Sequence, residues 1–266
     1  PLSLAQALNE YCTLSVDTGT VMEMRAKKSR QEILTMKNVQ TVTQKAMDLA
    51  VSMIRSASVK KGVLYHDKKP LTAEQVKFSM HSLLLKYGCS AVDTIVSCGE
   101  DTSIPHMTGT GPLQSDEPIV IDLFPVEEKS GYYADMTRTV VKGEPAAEIQ
   151  SMYDTLRSAK QVGISRVKAG VSGSEVHQAV VDFFKDQGYE SGTTGFVHNL
   201  GHGVGLQVHE LPTVGPAGKT LVSGNVITIE PGLYYPGIGG VRLEDIGVVT
   251  PRGFDNFTVF PEDLII

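Results

Sequence analysis

The chain has 266 residues, of which 41% are hydrophobic and 20% charged, with a formal net charge of -6. This composition is normal for a globular protein and fits one large domain, or one domain plus a remnant. The acidic balance gives no sign of a nucleic-acid or membrane-surface partner, and no apolar run is long enough to cross a bilayer. The three cysteines show no metal-ligand spacing, so we expect reduced thiols in a cytoplasmic protein.

The first half of the chain predicts two helices and a strand. Residues 1–24 show only a short apolar pattern, which predicts a linker or the remnant of an N-terminal domain. Apolar residues then recur at helical spacing from about Ser29 to Ser56. A second helix is predicted to begin after Thr72, a plausible N-cap, and to end at Tyr87-Gly88. The segment VDTIVS that follows has the composition of a strand.

The second half repeats this organisation. Residues from about Glu148 to Val167 are predicted to be helical, and a further helix opens at Ser172 and ends near Gly188. The two halves thus show the same helix, turn, helix and strand pattern at an offset of roughly 100 residues. Two such units facing each other predict a layered α+β domain with a cleft at the seam between pseudo-symmetric halves.

Two acidic residues lie in predicted strands of the middle region. The segments PIVIDLFP and YYADMTRTVV predict a β-hairpin that carries Asp122 and Asp135 on partner strands. Two like charges at this separation repel each other, which favours a bridging cation. The alternative is a surface hairpin with exposed acids.

Histidines concentrate in the segment FVHNLGHGVGLQVHELP, which holds His198, His202 and His209. Glycines flank His202, which predicts that the backbone there can approach a ligand closely. An incidental cluster in a glycine-rich loop is the alternative interpretation. The other helical histidines, His81 and His177, have polar neighbours, and we expect them to be solvated.

The segment VITIEPGLYYPGIGGVRLEDIGVVT predicts a strand, a loop rich in proline and glycine, and a second strand. Glu230 is predicted to end the first strand, and Glu244 to lie inside the second. Glu230 could instead be an ordinary turn residue. Arg242 and Glu244 are two residues apart on one strand face, so a surface ion pair is the alternative for Glu244.

Five potential metal ligands therefore lie in β-prone or glycine-rich segments, namely Asp122, Asp135, His202, Glu230 and Glu244. An ionised carboxylate among apolar residues costs several kcal/mol unless it is paired or bound to metal. Few basic residues lie beside these five, so a shared cation is favoured. Four carboxylates and one imidazole suit Mn, Co, Fe or Zn better than Cu.

The order of these residues and their flanking segments resembles the pita-bread metallopeptidases, which include methionine aminopeptidase, aminopeptidase P and prolidase. The segments RAKKSRQEILTMKNV, HNLGHGVGLQVHE and EPGLYYPGIGGVRLED are similar to the aminopeptidase P and prolidase branch. The resemblance covers about Arg25 to Val249. It implies the α+β pita-bread fold, with helix–helix–strand units duplicated by a pseudo-two-fold axis around an antiparallel sheet. It also implies a catalytic domain over residues 25–266 and a homodimer.

The resemblance implies a site for two divalent metal ions. Asp122 and Asp135 would bind one ion, His202 and Glu230 would hold the other, and Asp135 and Glu244 would bridge them. Two such ions can share a hydroxide that is nucleophilic at neutral pH. Glu230 would also serve as the general base for the nucleophile's proton.

The same resemblance implies roles for residues that surround the metals. His209 and His106 would stabilise the oxyanion or the scissile amide. His198 and Arg242 would line the pocket on the substrate side, and Tyr234 would add a hydrogen bond near the metals.

The implied function is a metal-dependent exopeptidase that hydrolyses Xaa-Pro bonds of proline-containing peptides, as an Xaa-Pro aminopeptidase or an Xaa-Pro dipeptidase. Methionine aminopeptidase is the nearest alternative, and His198, Arg242 and Asp245 argue against it. Relatives of the fold that lost the ligands are binding modules, and creatinase uses the fold without metal. Both of these alternatives predict missing ligands, whereas all five are present here.

Overall fold

The computed structural model describes residues 2–17 and 19–266. It contains six α-helices in this part of the chain: α1 (Leu2–Leu8), α2 (Thr20–Ala26), α3 (Arg30–Ser56), α4 (Ala73–Lys86), α5 (Ala147–Arg166) and α6 (Gly173–Asp186). A single 3₁₀ helix spans Gly99–Ser103 among the same residues. The four long helices confirm the predicted ones to within about two residues at each end. No helix in the described ranges has both the length and the apolar character needed to cross a membrane.

Short strands make up the rest of the regular structure. They are β1 (Ser58–Lys60), β2 (Val63–His66), β3 (Lys69–Pro70), β4 (Cys89–Ser90), β5 (Ile95–Cys98), β6 (Ile119–Leu123), β7 (Val126–Glu127), β8 (Met136–Val140), β9 (Gly201–Gly203), β10 (Glu210–Val214), β11 (Val226–Ile229), β12 (Gly232–Tyr235), β13 (Gly239–Arg242), β14 (Asp245–Val249) and β15 (Phe254–Asn256). Their pairings are all antiparallel.

Local sequence signals explain where the long helices begin. Each of three helices opens with a capping box, in which the N-cap hydroxyl accepts from the third helical amide and the side chain three residues later accepts from the N-cap amide. The three pairs are Ser29 with Glu32 in α3, Thr72 with Gln75 in α4, and Ser172 with Glu175 in α6. These reciprocal bonds satisfy amides that would otherwise lack an intrahelical partner.

Two sheets carry the two halves of the molecule. One has the strand order β5-β6-β8, and the other has the order β10-β9-β11-β14-β15. A single antiparallel bridge between Thr137 and Glu244 joins them. The edge of the first half thus meets the second half at the residues that carry predicted metal ligands.

The buried apolar residues form one cluster in each half and a smaller one between them. The first cluster packs α3 and α4 on β5, β6 and β8, and the second packs α5 and α6 on strands of the second half. The third cluster places Met36 of α3 against Val226 and Ile246 of the five-stranded sheet. The predicted layered arrangement of two helix–helix–strand units is confirmed, and α3 holds the halves together.

The prediction of an irregular loop after Glu230 is wrong in one respect. Residues 232–242 form a β-hairpin of β12 and β13, in which Tyr234 pairs with Gly240. The Pro236-Gly237 turn closes this hairpin, and Gly237 has a φ of 81° that favours glycine. The hairpin ends at Arg242, so Glu244 lies at the junction between β13 and β14 and not inside one continuous strand.

Candidate metal centre

Three acidic side chains converge where the two sheets meet. Asp122 of β6 pairs with Thr137 of β8, and Thr137 bridges to Glu244 across the seam. Asp135 lies two residues before Thr137, so an extended backbone places both on one face. All three acids are buried, with exposed fractions of 9% for Asp122, 3% for Asp135 and 2% for Glu244. The alternatives of a surface hairpin and a surface ion pair are therefore excluded.

The second half contributes His202 and Glu230 from neighbouring strands. His202 lies in β9, and Glu230 follows β11, which pairs with β9 at Gly203. The hydroxyl of Thr228 accepts from the His202 amide at 3.1 Å and donates to the Glu230 carboxylate at 3.4 Å. Glu230 is thereby oriented toward the imidazole, with 3.2 Å between His202 Nε2 and Glu230 Oε1.

Ligand atoms from both halves come within reach of one cation. Asp135, His202 and Glu244 each offer an atom, and these three atoms lie within 4.8 Å of one another. His202 Nε2 is 3.7 Å from Asp135 Oδ2. Glu230 contacts the same imidazole nitrogen. Asp122 and Glu244 are the two strand neighbours of Thr137, one on each side. All five predicted ligands therefore face one region of the seam.

The carboxylates of this region repel one another. Burial, and then the charge of Asp122, raises the pKa of Asp135 well above its usual range. Burial, followed by the charges of Asp135 and Glu230, does the same to the pKa of Glu244. Buried carboxylates whose ionised forms are penalised in this way are a common signature of a functional site, and a cation would remove the penalty.

His202 and Glu230 form an ion pair. Burial opposes the charge on His202, but the hydrogen bond and charge of Glu230 outweigh it and raise the pKa of His202 to about 9. Burial likewise opposes the charge on Glu230, and the bond to His202 lowers the pKa of Glu230 to about 2. A metal ion on the imidazole would replace this proton.

One buried oxygen gives a direct test of whether a cation fits here. Asp122 Oδ2 accepts from the Arg242 guanidinium at 2.8 Å, whereas Asp122 Oδ1 is buried and has no hydrogen-bond partner. An unpartnered carboxylate oxygen in the interior is costly. This oxygen, together with the clustered acids and imidazole, is the donor set that a divalent cation of the manganese-to-zinc series prefers, so the residues fit the group.

Arg242 is bound on several sides within the protein and is only 3% exposed. Its role on the substrate side stays a prediction. Its guanidinium donates to Asp122, to the Tyr234 hydroxyl at 2.9 Å and to the Pro105 carbonyl at 3.2 Å. The arginine therefore balances the charge of the acidic cluster and holds the adjacent tyrosine.

Tyr234 connects Arg242 to His198. The tyrosine hydroxyl lies 2.9 Å from His198 Nε2, and His198 Nδ1 lies 2.7 Å from the Asn199 carbonyl. A carbonyl can only accept, so Nδ1 carries the proton and Nε2 accepts from Tyr234. Burial, with the charge of Arg242 contributing, lowers the pKa of His198 below its usual value. His198 is thus a neutral imidazole beside the acidic cluster.

The two remaining predicted histidines lie at the exposed rim. The rings of His209 and His202 meet edge to face, with centroids 4.0 Å apart. Burial and the charge of His202 lower the pKa of His209. His106 is exposed and follows Pro105, whose carbonyl accepts from Arg242. Their predicted roles in stabilising an oxyanion stay predictions.

The structure gives a packing reason for the glycines beside His202 and overturns the expectation for His177. The glycines beside His202 serve strand packing, because a Cβ on Gly201 would lie 2.1 Å from the Thr228 carbonyl oxygen and one on Gly203 would lie 2.2 Å from that of Leu211. His177, expected to be solvated, is 8% exposed and packs on Phe196. Its polar sequence neighbours face solvent while its own helix face is buried.

Sequence reasoning missed the threonines that orient the ligands. Thr137 donates to Glu244, and Thr228 lies between His202 and Glu230. The two-residue period of a strand could have indicated Thr137, since Asp135, Thr137 and Thr139 lie on the same face. Arg138, on the opposite face, donates to the Glu244 carbonyl at 2.8 Å and was also missed.

With this geometry established, comparison with known proteins identifies the class of the chain. Residues 34–251 match the model of metallopeptidase family M24, and the chain belongs to this family. The fold is the pita-bread fold of that family, and its members are hydrolases that bind divalent metal.

Individual relatives define the branch within that family. An uncharacterized peptidase from Staphylococcus aureus strain MSSA476 is 32% identical over 90% of this chain and 64% of its own length. An Xaa-Pro dipeptidase from Lactobacillus delbrueckii subsp. lactis is 37% identical over 66% of this chain and 47% of its own length. The solved prolidase from Pyrococcus horikoshii OT3 superposes with a TM-score of 0.87 at 29% identity, covering 100% of this chain and 73% of that one. The chain carries an M24 domain of the prolidase and aminopeptidase P branch.

Proposed function

We propose that the chain is a metal-dependent exopeptidase that hydrolyses Xaa-Pro peptide bonds at the seam between its two halves. The observation that carries the proposal is the convergence of Asp135, His202 and Glu244, from two sheets, within 4.8 Å. Two divalent ions of the Mn, Co, Fe or Zn type, held by these residues with Asp122 and Glu230, would make water nucleophilic and polarise the scissile carbonyl.

The protein's own side chains would supply the remaining chemistry. Glu230, whose carboxylate lies 3.2 Å from His202 Nε2, would accept the proton of the attacking water and pass it to the leaving nitrogen. His209 and His106, at the rim, would donate hydrogen bonds to the oxygen that becomes negative in the transition state. Both are exposed enough to reach a bound peptide.

The preference for proline is supported by the named relatives and by the residues around His198. The nitrogen of an Xaa-Pro bond carries no hydrogen, so a site that depends on an amide N–H donor cannot serve it. Both ring nitrogens of the neutral His198 are hydrogen-bonded within the protein, so the ring can offer an apolar surface without a competing charge. We propose that this group lines the wall that accepts the substrate.

The domain assignment is also a proposal. The chain spans about two thirds of the length of the Staphylococcus peptidase that it matches, 64%. We propose residues 25–266 as the catalytic domain and residues 1–24 as a connector, because α1 has no buried residue. Substrate range and activity of the whole protein belong to this proposal.

A direct comparison of substrates tests the proposed function. The purified chain is loaded with Mn²⁺, Co²⁺, Fe²⁺ or Zn²⁺ in separate samples, and its metal content is measured. Each sample is then offered an Xaa-Pro dipeptide, an Xaa-Pro tripeptide and a Met-Ala peptide at equal concentrations. We expect cleavage of an Xaa-Pro peptide, and the preferred length separates dipeptidase from aminopeptidase.

Two outcomes would contradict the proposal. A clear preference for Met-Ala would assign methionine aminopeptidase activity. Stoichiometric metal binding without hydrolysis of any of the three peptides would favour a non-catalytic binding module.

A further inference from the structure

The second helices of the two halves correspond residue by residue. Helices α4 and α6 each contain 14 residues and begin with a capping box, so their first residues, Ala73 and Gly173, are equivalent. The fourth residues, Val76 and Val176, are both fully buried. The fifth residues are therefore also equivalent, and both are polar: Lys77 in α4 and His177 in α6.

Both fifth residues bind the backbone of a loop that carries a predicted site histidine. Lys77 Nζ donates to the carbonyl of Gly109 at 2.9 Å, three residues after His106. His177 Nδ1 accepts from the amide of Leu200 at 3.2 Å, midway between His198 and His202. The same position of the duplicated unit thus anchors the histidine loop in each half.

The contact of His177 reaches the metal centre through one residue, Leu200, whose amide and carbonyl are both hydrogen-bonded. The Leu200 amide donates to His177, and the Leu200 carbonyl accepts from the amide of Glu230 at 2.8 Å. Leu200 is two residues from His202, so a displacement of the Leu200 backbone would move both His202 and Glu230. These are the two residues that are predicted to hold the same metal ion.

The ring of His177 also supports the substrate side of the site. It packs on Phe196 with centroids 5.4 Å apart, and Phe196 packs edge-on against His198 at 5.3 Å. Burial, with a further contribution from His198, lowers the pKa of His177. The ring is therefore neutral at neutral pH, and its Nδ1 lone pair is available to the Leu200 amide.

We infer that His177 is a positioning residue of the metal centre, which holds the Leu200 peptide and thereby sets the spacing of His202 and Glu230. The inference rests on the proposed function for its metal centre but not on the choice of peptide substrate. Lys77 is its counterpart in the first half, where the anchored loop carries no metal ligand. This difference between the halves makes Lys77 a matched control.

The experiment measures the affinity of the metal-free protein for Mn²⁺ and Co²⁺ by titration calorimetry, so it needs no peptide. His177→Leu replaces the ring by an apolar side chain of similar volume and removes the hydrogen-bond acceptor. We expect affinity to fall about tenfold, in the range found when a group that orients a ligand is lost. His177→Asn places an amide oxygen near the position of Nδ1, and we expect affinity within about threefold of the native protein.

Lys77→Met separates a specific effect from general loosening of the fold. It removes the anchor of the His106 loop, and we expect unchanged metal affinity because that loop holds no ligand. His177→Gln, whose amide oxygen lies farther from the backbone, is a second variant without the acceptor if His177→Leu fails to fold. Thermal melting of each metal-free variant confirms that it is folded.

Three results would overturn the inference. Native affinity in the folded His177→Leu or His177→Gln protein would show that the anchor is not needed. Equal loss in His177→Asn would show that the hydrogen bond is not the cause. An equal loss in Lys77→Met would show that any weakened helix has the same effect. If the native protein binds metal but hydrolyses none of the peptides, that result would instead count against the proposed function alone.

Discussion

Thr137 donates a hydrogen bond of 2.8 Å from its hydroxyl to the carboxylate of Glu244, and the Glu244 amide donates to the Thr137 carbonyl at 3.1 Å. These two contacts form the bridge between the two sheets. They fix both the backbone and the side chain of a predicted bridging ligand. Thr137 is fully buried, so no water can replace its hydroxyl without rearrangement of the seam.

Replacement of Thr137 by valine should therefore weaken metal binding. Valine keeps the shape of threonine but cannot donate to Glu244, and metal affinity should fall by about tenfold, as for other groups that orient ligands. Calorimetric titration of the metal-free protein measures the change. Thr41→Val, on the exposed face of α3, is the matched control and should leave affinity unchanged. Native affinity in the Thr137 variant would contradict the assigned role.

Replacement of Glu230 by glutamine should abolish most hydrolysis while the fold is kept. The variant loses a carboxylate that contacts His202 at 3.2 Å and that is proposed as general base. We expect turnover to fall by about 10²–10⁴-fold, the usual contribution of a general base. Steady-state kinetics with metal content measured in the same sample check this, with the exposed Glu128→Gln as control. Near-normal turnover in the metal-loaded variant would exclude Glu230 as the base.

Metal binding should release protons, and the metal-free protein should lose stability as pH rises. The folded-state pKa of Asp135 and Glu244 lies above the usual range, and that of His202 is about 9. Groups whose pKa is raised on folding stabilise the protein below their unfolded pKa and lose this contribution as pH rises through the folded value. For His202 the window runs from about 6.5 to about 9.

Thermal melting of metal-free and metal-loaded protein across this window checks the prediction. The melting temperature of the metal-free form should fall from pH 6.5 to pH 9, and the metal-loaded form should change less. Calorimetry in buffers of different ionisation enthalpy counts the protons released. Equal pH dependence of the two forms, with no proton release, would be evidence against a metal site at these residues.

Replacement of Lys160 by methionine should destabilise the protein strongly. Lys160 is fully buried and donates to Asp245 and Glu262, each at 2.6 Å. Its removal leaves buried negative charge with fewer partners, which typically costs about 3–5 kcal/mol in the free energy of unfolding. The exposed pair Lys37–Asp255 is the control, because Lys37→Met should cost about 1 kcal/mol or less. Urea unfolding measures both, and similar losses in the two variants would contradict the argument.

Local sequence patterns were sufficient to predict the helices, the duplication and the candidate ligands. Helix ends such as Ser29, Thr72 and Ser172 depend on contacts within four residues, so capping and periodicity predicted them. The acids that lie in or beside strands were recognisable because a charge there is costly unless it has a partner. Their order along the chain then indicated the family.

The contacts among these residues depend on the three-dimensional fold and were not predictable from local patterns. Arg242 binds Asp122, which lies 120 residues earlier, and His177 holds Leu200 across 23 residues. Neither contact leaves a local pattern. The first depends on how the two folded halves approach each other, and the second on how α6 packs against the histidine loop of its own half. The same holds for Thr137 and Glu244, whose bridge exists because the edge of one sheet meets a strand junction of the other. Local sequence specifies which groups are available, and long-range packing sets their distances, burial and charge state.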